Sequence, residues 1–239
     1  MATMTLDQLV SQLRAAYGAE LRAVVLYGSA AVGEHIPKRS DYNVLVLADS
    51  LKPERLRAAA AVARAWAEAG NPAPMTMTPA EWRRSADIFP MEYADILDRH
   101  KILYGELPVE GVRVEPRHLR LQLEQEAMGK LLKLRQGVLA VGGEEKRQID
   151  LLAASLSTIM VILRAVTRLH GDRPPADNVA LSTMVAGRAG FDAAPFVRVV
   201  RHVRGEQMMT PAEVGGVLAG YLNGMEELVA YLDRFASPA

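Results

Sequence analysis

The residues between positions 24 and 47 have types and spacing that could do chemistry. An apolar run ends in Gly28-Ser29, and Asp41 opens the next apolar run two residues before Asn43. Glycine lets the backbone approach a phosphate closely, and the start of a following helix turns free N–H groups toward an anion. Ser29 adds a hydroxyl donor, and Mg²⁺ is commonly held by one or two carboxylates together with substrate phosphates. The stretch therefore predicts a polyphosphate site with Asp41 as a Mg²⁺ ligand.

This stretch resembles the signature of the DNA polymerase beta-like nucleotidyltransferase superfamily. That signature is an apolar strand, a Gly-Ser pair, about ten further residues, and then Asp-x-Asp or Asp-x-Glu leading a second apolar strand. Aminoglycoside adenylyltransferases, and bacterial proteins with a helical C-terminal domain, are similar in pattern. The likeness covers residues 5–105 in element order and is most specific over residues 24–47.

The resemblance implies a role for each matching position. Gly28 and Ser29 would bind the nucleotide phosphates, and Ser40 is assigned to the same cofactor site. Asp41 would be the first metal carboxylate and a catalytic residue. Asn43 takes the position of the second carboxylate, as a metal and catalytic position. The implied cofactor is Mg²⁺ with a nucleoside triphosphate.

The sequence departs from the family pattern at two carboxylates. Asn43 is neutral, and the third strand that is available, Pro74–Met77, carries no acid. In the family the third carboxylate commonly acts as base toward the acceptor hydroxyl, and general-base catalysis contributes about 10²–10⁴-fold. The departure leaves two hypotheses: a weak nucleotidyltransferase, or a catalytically degenerate module that binds a nucleotide or a partner.

A second acidic segment could replace the missing groups. Glu92, Asp95 and Asp98 recur every three residues, which places neighbouring carboxylates near one face of a helix. Glu92 is the preferred compensating ligand or base in this interpretation. The alternative is a solvated acidic stripe opposite Arg99 and Lys101.

The main motif also has a simpler interpretation. Gly28-Ser29 could form a plain turn after a strand, and Asp41 could cap a turn with Ser40, because short polar side chains bond to nearby backbone. The strand context on both sides favours the phosphate site.

Hydrophobic periodicity predicts an α/β (α+β) domain over residues 1–110 and an all-helical bundle over 111–239. Capping signals at Thr5 and Thr78 predict helix starts. The expected strands are 21–27, 41–48, 75–77 and 101–104, with helices over 53–69 and 91–100. The expected helices of the bundle are 117–141, 144–170, 178–189, 193–204 and 211–235.

The helical half holds two weaker signals. Lys130 and Lys133 lie on a locally basic helix and could contribute a cation to a triphosphate, although their alternation with acids is typical of a surface helix. Arg164 and His170 resemble the catalytic pair of HEPN-type helical ribonucleases, in which histidine acts as acid or base. Ala165, however, takes the place of the polar residue that usually follows the arginine.

Composition excludes several classes of protein. With 28 basic and 28 acidic side chains the formal net charge is zero, so nucleic acid is not an expected partner. The absence of cysteine excludes disulfides, thiolate metal sites and a cysteine nucleophile. The longest uncharged apolar run, Leu151–Leu163, spans only about 20 Å as a helix, short of the hydrocarbon core. We therefore expect a cytoplasmic protein without a membrane segment.

The function predicted from these features is transfer of a nucleoside monophosphate from a Mg²⁺-nucleotide to a hydroxyl. The acceptor would be a small molecule or a protein. The alternative remains the degenerate binding module.

Overall fold

The computed structural model describes residues 4–32 and 42–235. The chain divides into two compact units, one extending to Val114 and the other beginning at Glu115. The first unit is a sheet with helices and the second is helical. The predicted fold class, an α/β unit followed by an all-helical unit, is confirmed.

The sheet of the first unit has four strands in its described part, in the order β3-β2-β1-β4. Strand β1 pairs antiparallel with both β2 and β4, whereas β2 and β3 run parallel. The strands are β1 (Leu21–Tyr27), β2 (Asn43–Ala48), β3 (Met75–Met77) and β4 (His100–Gly105).

Both helix starts that the capping signals predict are confirmed. The Thr5 hydroxyl accepts from the Gln8 amide, the Thr78 hydroxyl accepts from the Glu81 amide, and each partner side chain reaches back to the cap backbone. Such caps satisfy amides that a helix start leaves unpaired. The helices of this unit are α1 (Leu6–Tyr17), α2 (Pro53–Glu68), α3 (Pro79–Arg84) and α4 (Pro90–Asp98).

Alternation along β1 and β2 divides the apolar side chains between the two faces of the sheet. One face packs with α1 and α2 around the fully buried Trp66, and the other packs with α3 and α4 around Trp82 and Tyr93. Burying one large apolar side chain stabilises the fold by about 1.5–3 kcal/mol. The strand residues are Val24, Leu26, Val44 and Val46 on the first face, and Ala23, Val25, Leu45 and Leu47 on the second.

Two local details differ from the sequence expectations. The helix expected over 91–100 ends at Asp98, because His100 instead pairs with Tyr27 as the first residue of β4. Beyond residue 110, Val112 still packs in the core of the first unit, and the Trp82 indole donates to the Pro108 carbonyl at 2.8 Å. The domain boundary at residue 110, with a nucleotidyltransferase-like domain before it and a helical bundle after it, stays a prediction.

The second unit is built around its second helix. The stripe Leu152, Leu156, Ile159 and Leu163 is buried there. By length and hydropathy this helix could cross a membrane, but half of its most apolar window is buried inside the unit, as a central bundle helix requires. The helices are α5 (Pro116–Val141), α6 (Glu145–Leu169), α7 (Asn178–Ala189), α8 (Ala194–Arg204) and α9 (Pro211–Arg234).

Candidate functional site

The turn after β1 is built on Gly28. Its φ of +78° lies in the left-handed region, which costs a residue with a side chain about 1–2 kcal/mol. The Gly28 amide donates to the Arg99 carbonyl at 3.1 Å, and its carbonyl accepts from the Ala31 amide at 3.1 Å. A short 3₁₀ helix, Ser29–Val32, follows directly. The predicted Gly-Ser turn is therefore tied to the chain that leaves α4.

Three polar residues form a row across the sheet beside this turn. Tyr27 on β1 is paired with Asn43 on β2 and with His100 on β4. Directly opposed residues of antiparallel strands point to the same face. Since Asn43 alternates with the buried Leu45, the row lies on the face that α4 covers.

Asn43 and Asp95 converge on Gly28. A Cβ placed on Gly28 would lie 3.4 Å from Asn43 Nδ2 and 3.4 Å from Asp95 Oδ2. The carboxamide and the carboxylate are therefore separated by no more than twice that distance. They flank the one residue of the turn that has no side chain.

Aromatic packing fixes the helix that carries Asp95. Tyr93 stacks on Trp82 with ring centroids 4.2 Å apart, and its hydroxyl donates to the Trp82 carbonyl at 2.7 Å. Ile96 is fully buried on the same helix. Because these neighbours hold α4 against the sheet, Asp95 is directed to the end of β1 and the start of β2.

The two carboxylate oxygens of Asp95 have different neighbours. Asp95 Oδ1 lies 3.6 Å from the Nε of Arg99, which is only 9% exposed, whereas Oδ2 faces Gly28. Burial, followed by the charges of Glu92 and Asp95, raises the pKa of Tyr27 to about 12. The phenol of Tyr27 therefore keeps its proton at neutral pH beside these acids.

The structure brings together some of the residues predicted from the sequence. Gly28 and Asn43 are adjacent, and the backbone of Ser29 begins the 3₁₀ helix. Ser40 and Asp41 lie outside the described residues, so their roles stay predictions. Strand β3 lies beside β2 and, as expected, carries no acid.

Sequence reasoning named the acidic segment of α4 but preferred Glu92. The acidic residue of α4 that lies close to Gly28 is Asp95, one turn along the helix from Glu92, while Asp98 is exposed. The three-residue spacing identified the segment, but it did not predict which carboxylate faces the turn.

The donor set at this turn suits a hard cation. Mg²⁺ prefers oxygen ligands, and Asp95 offers a carboxylate while Asn43 offers a carboxamide oxygen once its amide is turned over. Among residues 4–32 and 42–235, no three His, Cys, Asp or Glu side chains form a metal-binding group by themselves. A nucleotide's phosphates or a residue outside those ranges would have to supply the remaining ligands.

The two lysines that could bind a triphosphate, Lys130 and Lys133, lie on the surface of helix α5. Lys130 Nζ lies 3.9 Å from Glu126 Oε2, and the Lys133 side chain is exposed. These contacts agree with the surface-helix interpretation of the basic segment. A role in phosphate binding stays a prediction.

Arg164 and His170 make contacts with different partners. The guanidinium of the buried Arg164 donates to Asn178 Oδ1 at 2.8 Å, while His170 Nε2 lies 2.6 Å from the Tyr231 hydroxyl. Desolvation, then the charge of Arg188, lowers the pKa of His170. These contacts give each residue a structural role within the helical unit.

Comparison with known proteins supports the fold. No family model matches the chain, and no curated protein sequence matches it. Among solved structures, the chain is similar to spectinomycin adenyltransferase AAD(9) from Enterococcus faecialis, determined with ATP and spectinomycin. The TM-score is 0.58 at 12% sequence identity, and the match covers 92% of this chain and 98% of the adenyltransferase. This likeness establishes a nucleotidyltransferase fold.

Proposed function

We propose that this protein is a nucleotidyltransferase that transfers a nucleoside monophosphate from a Mg²⁺-nucleoside triphosphate to a hydroxyl group. The carrying observation is that Asn43 and the Asp95 carboxylate meet at Gly28, at the turn where the sequence carries the Gly-Ser pair of the family signature. The nucleotidyltransferase fold supports this assignment.

In the proposed reaction, the acceptor oxygen forms a bond to the α-phosphorus. The bond from that phosphorus to the oxygen bridging to the β-phosphate breaks, and pyrophosphate leaves with the electron pair. The proton of the acceptor hydroxyl passes to a carboxylate or to water. Bound Mg²⁺ would neutralise phosphate charge and orient the triphosphate.

Each residue of the turn has a distinct part in this proposal. Gly28 lets the phosphates approach the backbone because it has no side chain. Ser29 and Ser40 are proposed phosphate contacts, and Asp41 is the proposed first metal ligand. Asn43 and Asp95 contribute neutral and charged oxygens on the same side of the turn.

The neighbour in the comparison suggests the class of acceptor to examine first. That adenyltransferase was determined with ATP and spectinomycin, a small hydroxyl-bearing molecule. We therefore propose ATP as donor and a small polyhydroxylated molecule as acceptor, with a protein hydroxyl as the other choice.

A second candidate function is nucleotide binding without turnover. The neutral Asn43 and the absence of an acid on β3 favour it, because a general base contributes about 10²–10⁴-fold to such a reaction. In this second candidate function, the protein binds the nucleotide at the same site but does not catalyse the transfer.

Two measurements separate these functions. Thermal unfolding is followed with each of the four common ribonucleoside triphosphates, with and without Mg²⁺, and pyrophosphate release is measured with spectinomycin as acceptor. Stabilisation by a Mg²⁺-nucleotide together with acceptor-dependent pyrophosphate supports the transferase. Stabilisation without pyrophosphate release excludes spectinomycin as the acceptor and favours the binding module, and no stabilisation by any nucleotide contradicts both.

A further inference from the structure

We infer that Asp95, carried by helix α4, supplies the carboxylate that position 43 lacks, so that the metal site is completed from a helix as well as from strand β2. This inference rests on the proposed function, because that function is what identifies the turn at Gly28 as a site for a divalent cation. It assigns to this chain a metal ligand outside the two positions of the strand signature.

The first support is the position of the carboxylate. Asp95 Oδ2 and Asn43 Nδ2 are equally distant, 3.4 Å, from the point where a Cβ of residue 28 would stand. A carboxylate at position 43 would occupy almost the same volume as the Asn43 carboxamide. A charge on Asp95 therefore acts on the same side of the turn as the charge that an acidic residue at 43 would provide.

The second support is the way Asp95 is held. The Arg99 amide donates to the Asp95 carbonyl at 2.8 Å, and the Arg99 carbonyl accepts from the Gly28 amide at 3.1 Å. The end of α4 and the turn at Gly28 are thus joined through Arg99. These two backbone hydrogen bonds position the end of α4 relative to the turn at Gly28.

The third support is that the two oxygens of the Asp95 carboxylate have different neighbours. Oδ1 lies on the side of the buried Arg99 guanidinium, at 3.6 Å, and Oδ2 lies on the side of Gly28. A cation bound through Oδ2 would leave the contact between Oδ1 and Arg99 in place. At 3.6 Å the contact between Arg99 Nε and Asp95 Oδ1 is longer than a hydrogen bond, so through it Arg99 acts on this oxygen by its charge.

The matched control for Asp95 lies on the same helix. Asp98 is one turn further along α4 and is exposed. Asp95→Asn and Asp98→Asn each remove one negative charge without changing side-chain size. General electrostatic attraction predicts similar losses in the two variants, whereas ligation predicts a loss in Asp95→Asn alone.

The test is binding of Mn²⁺, followed by electron paramagnetic resonance, and of ATP with Mg²⁺, followed by calorimetry. We expect Asp95→Asn to weaken Mn²⁺ binding at least about tenfold and Asp98→Asn to change it less than about twofold. The double variant Asp95→Asn with Asn43→Asp restores the carboxylate from the strand and should recover affinity to within about threefold of the parent.

Several outcomes overturn the inference. Equal Mn²⁺ affinity in Asp95→Asn and the parent, absence of Mn²⁺ binding by the parent, or an equal loss in Asp98→Asn would each do so. If Asp95→Asn does not fold, Asn43→Asp alone decides: two carboxylates at the turn should bind Mn²⁺ more tightly than one, and unchanged affinity contradicts the inference.

Different results would contradict the role of Asp95 and the proposed function. If the parent binds ATP with Mg²⁺ and Asp95→Asn binds both ligands equally well, only the role of Asp95 is wrong. If the parent binds Mn²⁺ through Asp95 but binds no nucleotide, the proposed function is wrong and the metal ligand stands.

Discussion

The amide of Gly28 donates a hydrogen bond to the carbonyl of Arg99 at 3.1 Å, across the point where β1 ends and β4 is about to begin. This bond joins the turn of the sequence signature to the end of helix α4. The acidic side of α4 therefore belongs to the same local structure as the turn. A substitution that alters the backbone at Gly28 or at Arg99 should therefore disturb both the turn and the end of α4.

The conformation of Gly28 provides the first prediction. Gly28→Ala places a Cβ in the left-handed region, and that Cβ would touch the polar ends of Asn43 and Asp95. We expect the free energy of unfolding to fall by about 1–2 kcal/mol and nucleotide affinity to fall with it. Urea unfolding and calorimetry measure the two effects.

The control for this variant is Gly129→Ala on α5. A Cβ there would meet no atom within 4 Å, and alanine favours a helix over glycine by about 0.5–1 kcal/mol. Gly129→Ala should therefore be neutral or stabilising. A Gly28→Ala variant as stable as the Gly129→Ala variant would contradict the left-handed turn.

Position 43 provides the second prediction. Asn43→Asp barely changes side-chain shape but adds a negative charge on the side of Gly28 that Asp95 occupies. Without a divalent cation we expect a loss of stability below about 1 kcal/mol, and Mg²⁺ should raise the melting temperature more in the variant than in the parent. Equal Mg²⁺ responses in the two proteins would show that residue 43 does not face a metal site.

Close helix packing in the second unit provides the third prediction. A Cβ on Gly224 of α9 would lie 2.9 Å from Phe196 Cζ on α8, closer than such atoms can pack. Gly224→Ala should destabilise the protein by about 1–3 kcal/mol through overpacking. Gly216→Ala in the same helix meets no atom within 4 Å and should be neutral or stabilising. Equal chemical stability of the two variants would contradict this packing.

His170 provides a prediction about pH. Its folded-state pKa is lowered from 6.5, so its contribution to stability is complete above that pH and is lost as the pH falls toward the folded-state pKa. Desolvation lowers the pKa of His170 most, and the nearby charge of Arg188 lowers it further. The charge of Asp172, which is ion-paired with Arg188, raises this pKa. Arg188→Gln should therefore raise the pKa of His170.

Nuclear magnetic resonance titration of the His170 ring measures this effect. Arg147→Gln, at the opposite end of α6 and paired with Glu144, is the control and should leave the midpoint unchanged. A midpoint in Arg188→Gln that equals or falls below that of the parent would show that the guanidinium does not act on the ring.

Local patterns in the sequence predicted most of the elements. The apolar runs of β1 and β2, the capping boxes at Thr5 and Thr78 and the α6 stripe each depend on neighbours in sequence, and each is confirmed. The end of α4 was wrong by two residues because His100 pairs with Tyr27 in the sheet. That pairing joins distant segments, so local periodicity carries no signal for it.

Only part of the candidate site was predictable from the sequence, because the rest depends on contacts between distant segments. Gly28 and Asn43 were identified from their spacing, and the register Tyr27–Asn43 places them together. The approach of Asp95 depends on Tyr93 stacking on Trp82, a tertiary contact that fixes the rotation of α4. The sequence favoured Glu92 over Asp95, whereas in the packed helix it is Asp95 Oδ2 that lies 3.4 Å from the Cβ position of Gly28.

The most direct test of a Mg²⁺-nucleotide site at Gly28 is a calorimetric titration of the unmodified protein with ATP, once in excess Mg²⁺ and once in EDTA. If the turn at Gly28 binds phosphates beside the Asp95 carboxylate and the Asn43 carboxamide, ATP should bind at least about tenfold more tightly when Mg²⁺ is present, a difference of about 1.4 kcal/mol. Equal affinity in the two titrations, or no heat of binding in either, would contradict a Mg²⁺-nucleotide site at Gly28.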